Sequence, residues 1–234
     1  MVSWFGPEEW QAFALTLQLA AITTVGLIII GIPLAWALAR FDHPLKSVFD
    51  AIIALPLVLP PTVLGFYLLI AFAPDSMLGN LWQQLFDRRL AFSFDALVLG
   101  SMLYSLPFVV QPIQQAFSRI PEQQLEVFKS MGLNRWQRLY KLILPSCKAA
   151  IISAFALGFA HTIGEFGVVL MIGGNIAGET QVISIALYDH VETLNYQKAH
   201  GVSIALLVFS FLILLLTYSK LQSPFRITGM VDNR

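Results

Sequence analysis

Charge is scarce in this chain. Of its 234 residues, 12% are Asp, Glu, Lys or Arg, where soluble domains carry about 25%. With 57% hydrophobic residues and a mean hydropathy of +0.72, the deficit excludes an ordinary water-soluble globule. A bilayer as solvent accounts for it, because a charged side chain at mid-membrane is costly. No Lys or Arg precedes Arg40, so the basic start of a cleavable signal peptide is missing. The formal net charge is zero, so bulk charge suggests no nucleic-acid partner. The single cysteine, Cys147, excludes an intrachain disulfide. No His, Cys and Asp residues stand at metal-ligand spacing, and no nucleophile stands at motif spacing from a base. Neither a metal nor a catalytic residue is therefore expected. The phosphate-binding pattern G-x-x-x-x-G-K-[ST] is absent, so no ATP hydrolysis is expected of the chain itself. Nor is there an internal repeat, so a pathway built from this chain calls for a second subunit.

Long apolar runs are what the chain does have. A hydrocarbon core about 30 Å thick needs about 20 apolar helical residues. Five segments qualify: 10–39, 51–74, 96–118, 149–172 and 201–219. The fourth carries one carboxylate, Glu165. The run 180–188 is too short and reads as interfacial or re-entrant. Pro7 followed by Glu8 and Glu9 reads as a helix start, with Trp4 and Trp10 as interfacial anchors.

Five crossings place the termini on opposite sides. With the N-terminus outside, eleven of the fourteen Lys and Arg residues fall inside and only Arg88, Arg89 and Lys198 outside. The positive-inside rule selects that orientation. The expectation is one all-α membrane domain, 1–234, in the plasma (inner) membrane, with N-out/C-in topology.

The loop 119–148 is richer than a connector needs to be. Pro121 and Glu122 open a helix that runs to Met131, and Gly132 suits a left-handed cap. Asn134 can then cap a second helix, Arg135 to Ile143, which Pro145 helps to end. Three readings compete: a basic positive-inside loop, a helix-turn-helix DNA reader, and a helix that docks on a cytoplasmic protein. Tethering at both ends to membrane spans counts against the second, and the internal order favours the third.

Prolines interrupt the second run at Pro56, Pro60 and Pro61. Each lacks a backbone N–H and breaks the helical ladder. Either a translocation lining or a packed kink could tolerate that. Glu165 would repel an anion, so a hydrogen-bonded strut or a gate suits it better than substrate binding, with His161 four residues earlier as its partner. Asp189, His190, Glu192 and His200 read as a solvated outer loop, or else as a contact for a soluble partner.

Glu126, Gly132 and the run Leu142-Ile143-Leu144-Pro145 together resemble the Glu-Ala-Ala…Gly…Ile-x-Leu-Pro loop of binding-protein-dependent ABC importer permeases. Val127-Phe128 replaces the two alanines, and Leu142 replaces isoleucine. The resemblance implies a type I ABC importer permease fold whose coupling helix docks on a separate ATPase. Glu126, Lys129, Gly132, Arg135, Arg138, Leu142, Leu144 and Pro145 would form that coupling element. Leu55 to Val63, Gly164-Glu165-Phe166-Gly167 and Gly174 to Thr180 further resemble the oxyanion branch, molybdate permeases above all, with sulfate/thiosulfate and tungstate permeases as alternatives. Pro56, Pro60, Pro61, Thr62, His161, Gly164, Glu165, Phe166 and Gly167 are the candidate pathway or gate residues. The implied assembly is a homodimer in the lipid bilayer, with two ATPase subunits holding ATP and Mg and a soluble substrate-binding protein outside. A rival of another class is an ATP-independent secondary transporter, although only Glu165 would serve as its intramembrane ion site.

Overall fold

A computed structural model describes residues 5–221. Trp4, Arg226 and Arg234 lie outside the described residues, as do the side chains of Arg135 and Lys220. Every regular element among the described residues is helical.

Helix α1 (Pro7–Ala39) starts as expected, with Pro7 in its first turn and the Glu9 carboxylate accepting the Gly6 N–H at 2.7 Å. At 33 residues it is about 50 Å long, enough to cross a bilayer and project beyond it. The next run, expected as one span over 51–74, is not a straight helix. It divides into α2 (Lys46–Val58) and α3 (Pro61–Phe72), bent by 109°. The break is Leu59-Pro60, and both residues have ψ 134°. Each precedes a proline, whose ring excludes the helical region for the residue before it. Pro56, by contrast, does not break α2.

Helix α4 (Met77–Phe86), capped by Ser76, leads to α5 (Phe94–Ser118), which is capped by Ser93 and contains Pro107 and Pro112. The loop follows as α6 (Glu122–Ser130), α7 (Arg135–Arg138), a π turn (Leu139–Ile143) and α8 (Leu144–Ser146). Pro145 therefore does not end the second loop helix, which continues to Ser146. The π turn just before Pro145 shifts the hydrogen-bond ladder where the proline supplies no donor. A 77° bend at Cys147 then leads into α9 (Lys148–Ile163).

The expected fourth span, 149–172, is also interrupted. Helix α9 stops before Gly164, and α10 (Gly167–Gly173) begins after a three-residue break that holds Glu165. Beyond it, α11 (Ile183–Glu192) and α12 (Tyr196–Leu221) complete the chain. Helix α11 is packed against the rest of the bundle, with Ile183, Ile185 and Ala186 buried. Among the described residues, three helices, α1, α5 and α12, are each long and apolar enough to cross a membrane, and up to five crossings result if each bent pair counts as one.

Helices α1, α5 and α9 form the centre, where Leu27, Val109, Val110 and Ile113 are buried in one cluster. Small residues set the spacing, as is usual for helices packed in lipid. A Cβ on Gly158 would lie 2.7 Å from the Val109 side chain. Outside this centre, Leu207, Phe211 and Leu216 of α12 and Ile29 of α1 are exposed, as lipid-facing positions should be.

Candidate functional site

The break at Gly164 turns Glu165 into the bundle, where the residue is 3% exposed. Ser101 donates to its Oε2 at 2.5 Å and Ser105 to its Oε1 at 2.7 Å, both from α5. His161 Nδ1 lies 3.4 Å from Oε1 and 2.8 Å from the Ser105 hydroxyl. With Ser105 donating to Glu165, the His161 tautomer that carries hydrogen on Nδ1 completes the chain by donating to the serine. The imidazole stacks on Phe108 with centroids 4.0 Å apart. Ser184 of α11 donates to the Glu165 backbone carbonyl at 2.5 Å. One residue thus ties α5, α9 and α11 together at the start of α10. His161 and Glu165 were expected as a pair; Ser101, Ser105 and Ser184 were not. The i, i+4 spacing of the two α5 serines, on one face of an apolar span, was the available signal.

The other pathway candidates lie close by. A Cβ on Gly167 would stand 2.8 Å from Cβ of Pro61, and one on Gly65 would stand 2.7 Å from Cβ of Met171. Helices α3 and α10 therefore touch backbone to backbone, and the proline break and the glutamate break become neighbours. Pro60, Thr62 and Gly164 are exposed, while Pro56 and Phe166 are half-buried.

Sequence reasoning missed a polar trough on α5. Gln111, Gln114, Gln115, Ser118, Asp50 and Arg119 line a cavity of about 500 Å³. Gln111 and Gln115 also line a second cavity of about 220 Å³, beside Leu57 and Phe108. Gln114 donates to Asp50 at 2.8 Å. Side-chain amides offer donors to an anion without the tight hold of a fixed positive charge.

The loop keeps much of its expected form. Gly132 has φ +69°, in the left-handed region. Asn134 and Gln137 cap each other, Asn134 Oδ1 accepting the Gln137 N–H at 2.8 Å and Gln137 Oε1 the Asn134 N–H at 3.1 Å. Leu125, Phe128, Leu139 and Leu144 pack inward on the α1–α5 core. Val127, Met131, Trp136 and Tyr140 are exposed, and Trp136 stacks on Tyr140 while lining a groove against α1. Glu126 and Pro145 are exposed and Leu142 is half-buried, whereas Lys129 and Arg138 line a groove against α1.

At the opposite end, Asp189 and His190 lie on α11, not in a solvated loop. His190 Nε2 and Lys198 Nζ reach the buried Glu9 Oε1 at 2.9 and 2.8 Å, which clasps α1, α11 and α12 together. Asp189 accepts from Asn175 at 2.6 Å and from Gln181 at 3.0 Å. The Gly174 to Thr180 motif is a compact turn: Gly174 and Gly178 have φ +66° and +82°, and buried Thr180 donates to the Gly173 carbonyl at 2.7 Å. Among the described residues, no group of His, Cys, Asp and Glu is arranged to hold a metal ion.

Comparison with known proteins bears on this architecture directly. The chain is 49% identical over 213 residues to the molybdenum transport system permease protein ModB of Azotobacter vinelandii, covering 91% of the chain and 94% of that relative. It is 31% identical over 225 residues to the sulfate transport system permease protein CysT of Escherichia coli, covering 95% of the chain and 80% of that relative. Among solved structures, a bacterial ABC transporter involved in import of the acidic polysaccharide alginate shares the fold, with a TM-score of 0.75 at 17% identity over 95% of this chain and 81% of that one. Residues 28–222 match the family of binding-protein-dependent transport system inner membrane components, and the chain belongs to that family: it is a permease subunit of an ABC importer, not an enzyme.

Proposed function

We propose that this chain forms the transmembrane pathway of an ATP-driven importer for molybdate. The observation that carries the reading is the 49% identity to a molybdenum permease across nearly the whole chain, against 31% to a sulfate permease. Two copies enclose the pathway, with the glutamine-rich trough of α5, which also holds Asp50 and Arg119, lining its inner part. The chain crosses five times, the two bent pairs each counting once, with the N-terminus outside and the C-terminus inside. Two ATPase subunits, which hold ATP and Mg, lie below, and a soluble binding protein docks above.

The loop couples these parts. Its exposed Val127, Met131 and Tyr140 enter a cleft on the ATPase, while Gly132 sets the angle between its helices. Glu126 shapes the turn with Gly132, Arg135 is the candidate for a polar contact at the rim, and Leu142, Leu144 and Pro145 join the element to α9. Glu165 and His161 brace the bundle instead of binding substrate, because a carboxylate surrounded by hydroxyl donors has little left to offer an anion. The contacting breaks at Pro60-Pro61-Thr62 and Gly164 to Gly167, with Phe166 beside them, form the hinge of the gate, and Pro56 shapes its inner flank.

In cells that depend on this transporter, labelled molybdate uptake should persist under a ~100-fold excess of sulfate and fall under an equal concentration of tungstate. The factor of ~100 corresponds to about 2.7 kcal/mol of discrimination. Inhibition by sulfate at parity with molybdate would assign the chain to the sulfate relatives instead.

A further inference from the structure

A groove of about 640 Å³ separates the inner end of α1 from α6 and α7. Its walls combine two chemistries. Pro33, Trp36, Phe128 and Leu139 make one side apolar, while Arg40, Lys129 and Arg138 bring three cations; no carboxylate lines it. Arg40 is fixed in place. Its Nη2 donates to the Phe117 carbonyl at 2.9 Å, and its guanidinium lies over the Trp36 ring at 5.1 Å. Its Nε–H is buried with no partner, a donor left over in a cationic groove.

We propose that this groove holds the headgroup of an anionic phospholipid. The identification rests on depth as well as charge. Pro33 and Arg40 are seven residues apart on α1, so the groove climbs about 10 Å from the cationic level into the apolar run. A diester phosphate sits among the three cations, and its acyl chain continues along Trp36 and Pro33. A free inorganic anion would make no use of the apolar wall, and a soluble protein segment would have to enter the hydrocarbon to reach Pro33. Basic pockets between membrane helices on the cytoplasmic side are suited to such headgroups, each nearby cation adding about fivefold to the affinity. Assigning the lipid to the cytoplasmic leaflet rests on the N-out orientation proposed above. A bound lipid would also link α1 to the coupling helices, making the position of the loop depend on the surrounding membrane.

The test uses the full chain, purified in detergent and exposed to equal amounts of phosphatidylglycerol and phosphatidylcholine, with retained lipid read by native mass spectrometry. The expected result is one phosphatidylglycerol per chain, preferred at least about tenfold, with the preference lost in the double variant Lys129→Glu/Arg138→Glu. Excess inorganic phosphate should leave the lipid in place. Equal retention of the two lipids, an unchanged preference in the variant, or displacement by phosphate would each overturn the proposal. A measurement that needs no variant guards against misfolding. Photoactivatable phosphatidylglycerol should label the segments containing Trp36 and Phe128, and labelling confined to other segments would refute the site. Orientation is tested separately, by maleimide labelling of Val127→Cys in inverted vesicles but not in intact spheroplasts. A reversed labelling pattern with intact lipid preference moves the lipid to the outer leaflet and overturns the orientation alone.

Discussion

Replacing Ser101 and Ser105 together by alanine should destabilise the protein by about 3–6 kcal/mol, since each donates to the Glu165 carboxylate and a hydrogen bond to a charged group contributes about 1.5–3 kcal/mol. The carboxylate is almost wholly buried, so no water replaces the lost donors. In a thermal scan of the detergent-solubilised chain, the loss should appear as a fall in Tm of ~10 °C. The informative control is a third substitution. Adding Glu165→Leu to the serine pair removes the unsatisfied acceptor, and part of the stability should return, because an orphaned polar group costs more than the pair it came from contributes. Stability lost additively across all three positions would mean that the serines and Glu165 do not act as one unit.

The second large effect is functional. Gly132→Pro should leave insertion and bundle stability intact and abolish coupling. Gly132 has φ +69°, which proline cannot adopt, and Met131 has ψ 4°, which a following proline disfavours. Both residues must change conformation, so the angle between α6 and α7 is lost. Helix α6 has no fully buried residue and meets the α1–α5 core only through half-buried Leu125 and Phe128, so the bundle loses little packing. Moving a two-state transporter from 1:99 to 99:1 takes about 5.5 kcal/mol, and a loop that no longer reaches the ATPase transmits little of it. Transport should fall by at least ~100-fold, with ATP hydrolysis no longer responding to the loaded binding protein. A Cβ at Gly132 would meet no atom within 4 Å, so the requirement is conformational and not steric. Gly132→Asn, which tolerates the left-handed region, should therefore retain most of the transport. Full activity in the proline variant would remove the docking role from the loop.

Hydropathy made α1, α5 and α12 legible, because uninterrupted apolar length is what a bilayer demands. It could not reveal that 51–74 and 149–172 are broken, since a bent pair of half-length helices has the same composition as one long helix. Pro60-Pro61 did carry the information, because two successive residues are barred from helical geometry there, whereas Gly164 gave only a weak signal. Local chemistry read well in the loop: Gly132 and Asn134 behave as their conformational and capping preferences dictate. Pro145 misled, because a π turn absorbed it. Long-range partners were illegible. Glu9 looked like an ordinary acidic first-turn residue, yet it is buried against Lys198, 189 positions away. The glutamines of α5 were visible as residues, but only the packing of α2 and α9 against that face turns them into a trough.

The most direct test of the importer assignment is molybdate uptake into proteoliposomes containing this chain with its ATPase, with loaded binding protein outside and ATP inside. Uptake should require all three components and stop when ATP is replaced by a non-hydrolysable analogue. Molybdate accumulation by the chain alone, without ATPase or ATP, would contradict the assignment and identify a secondary transporter.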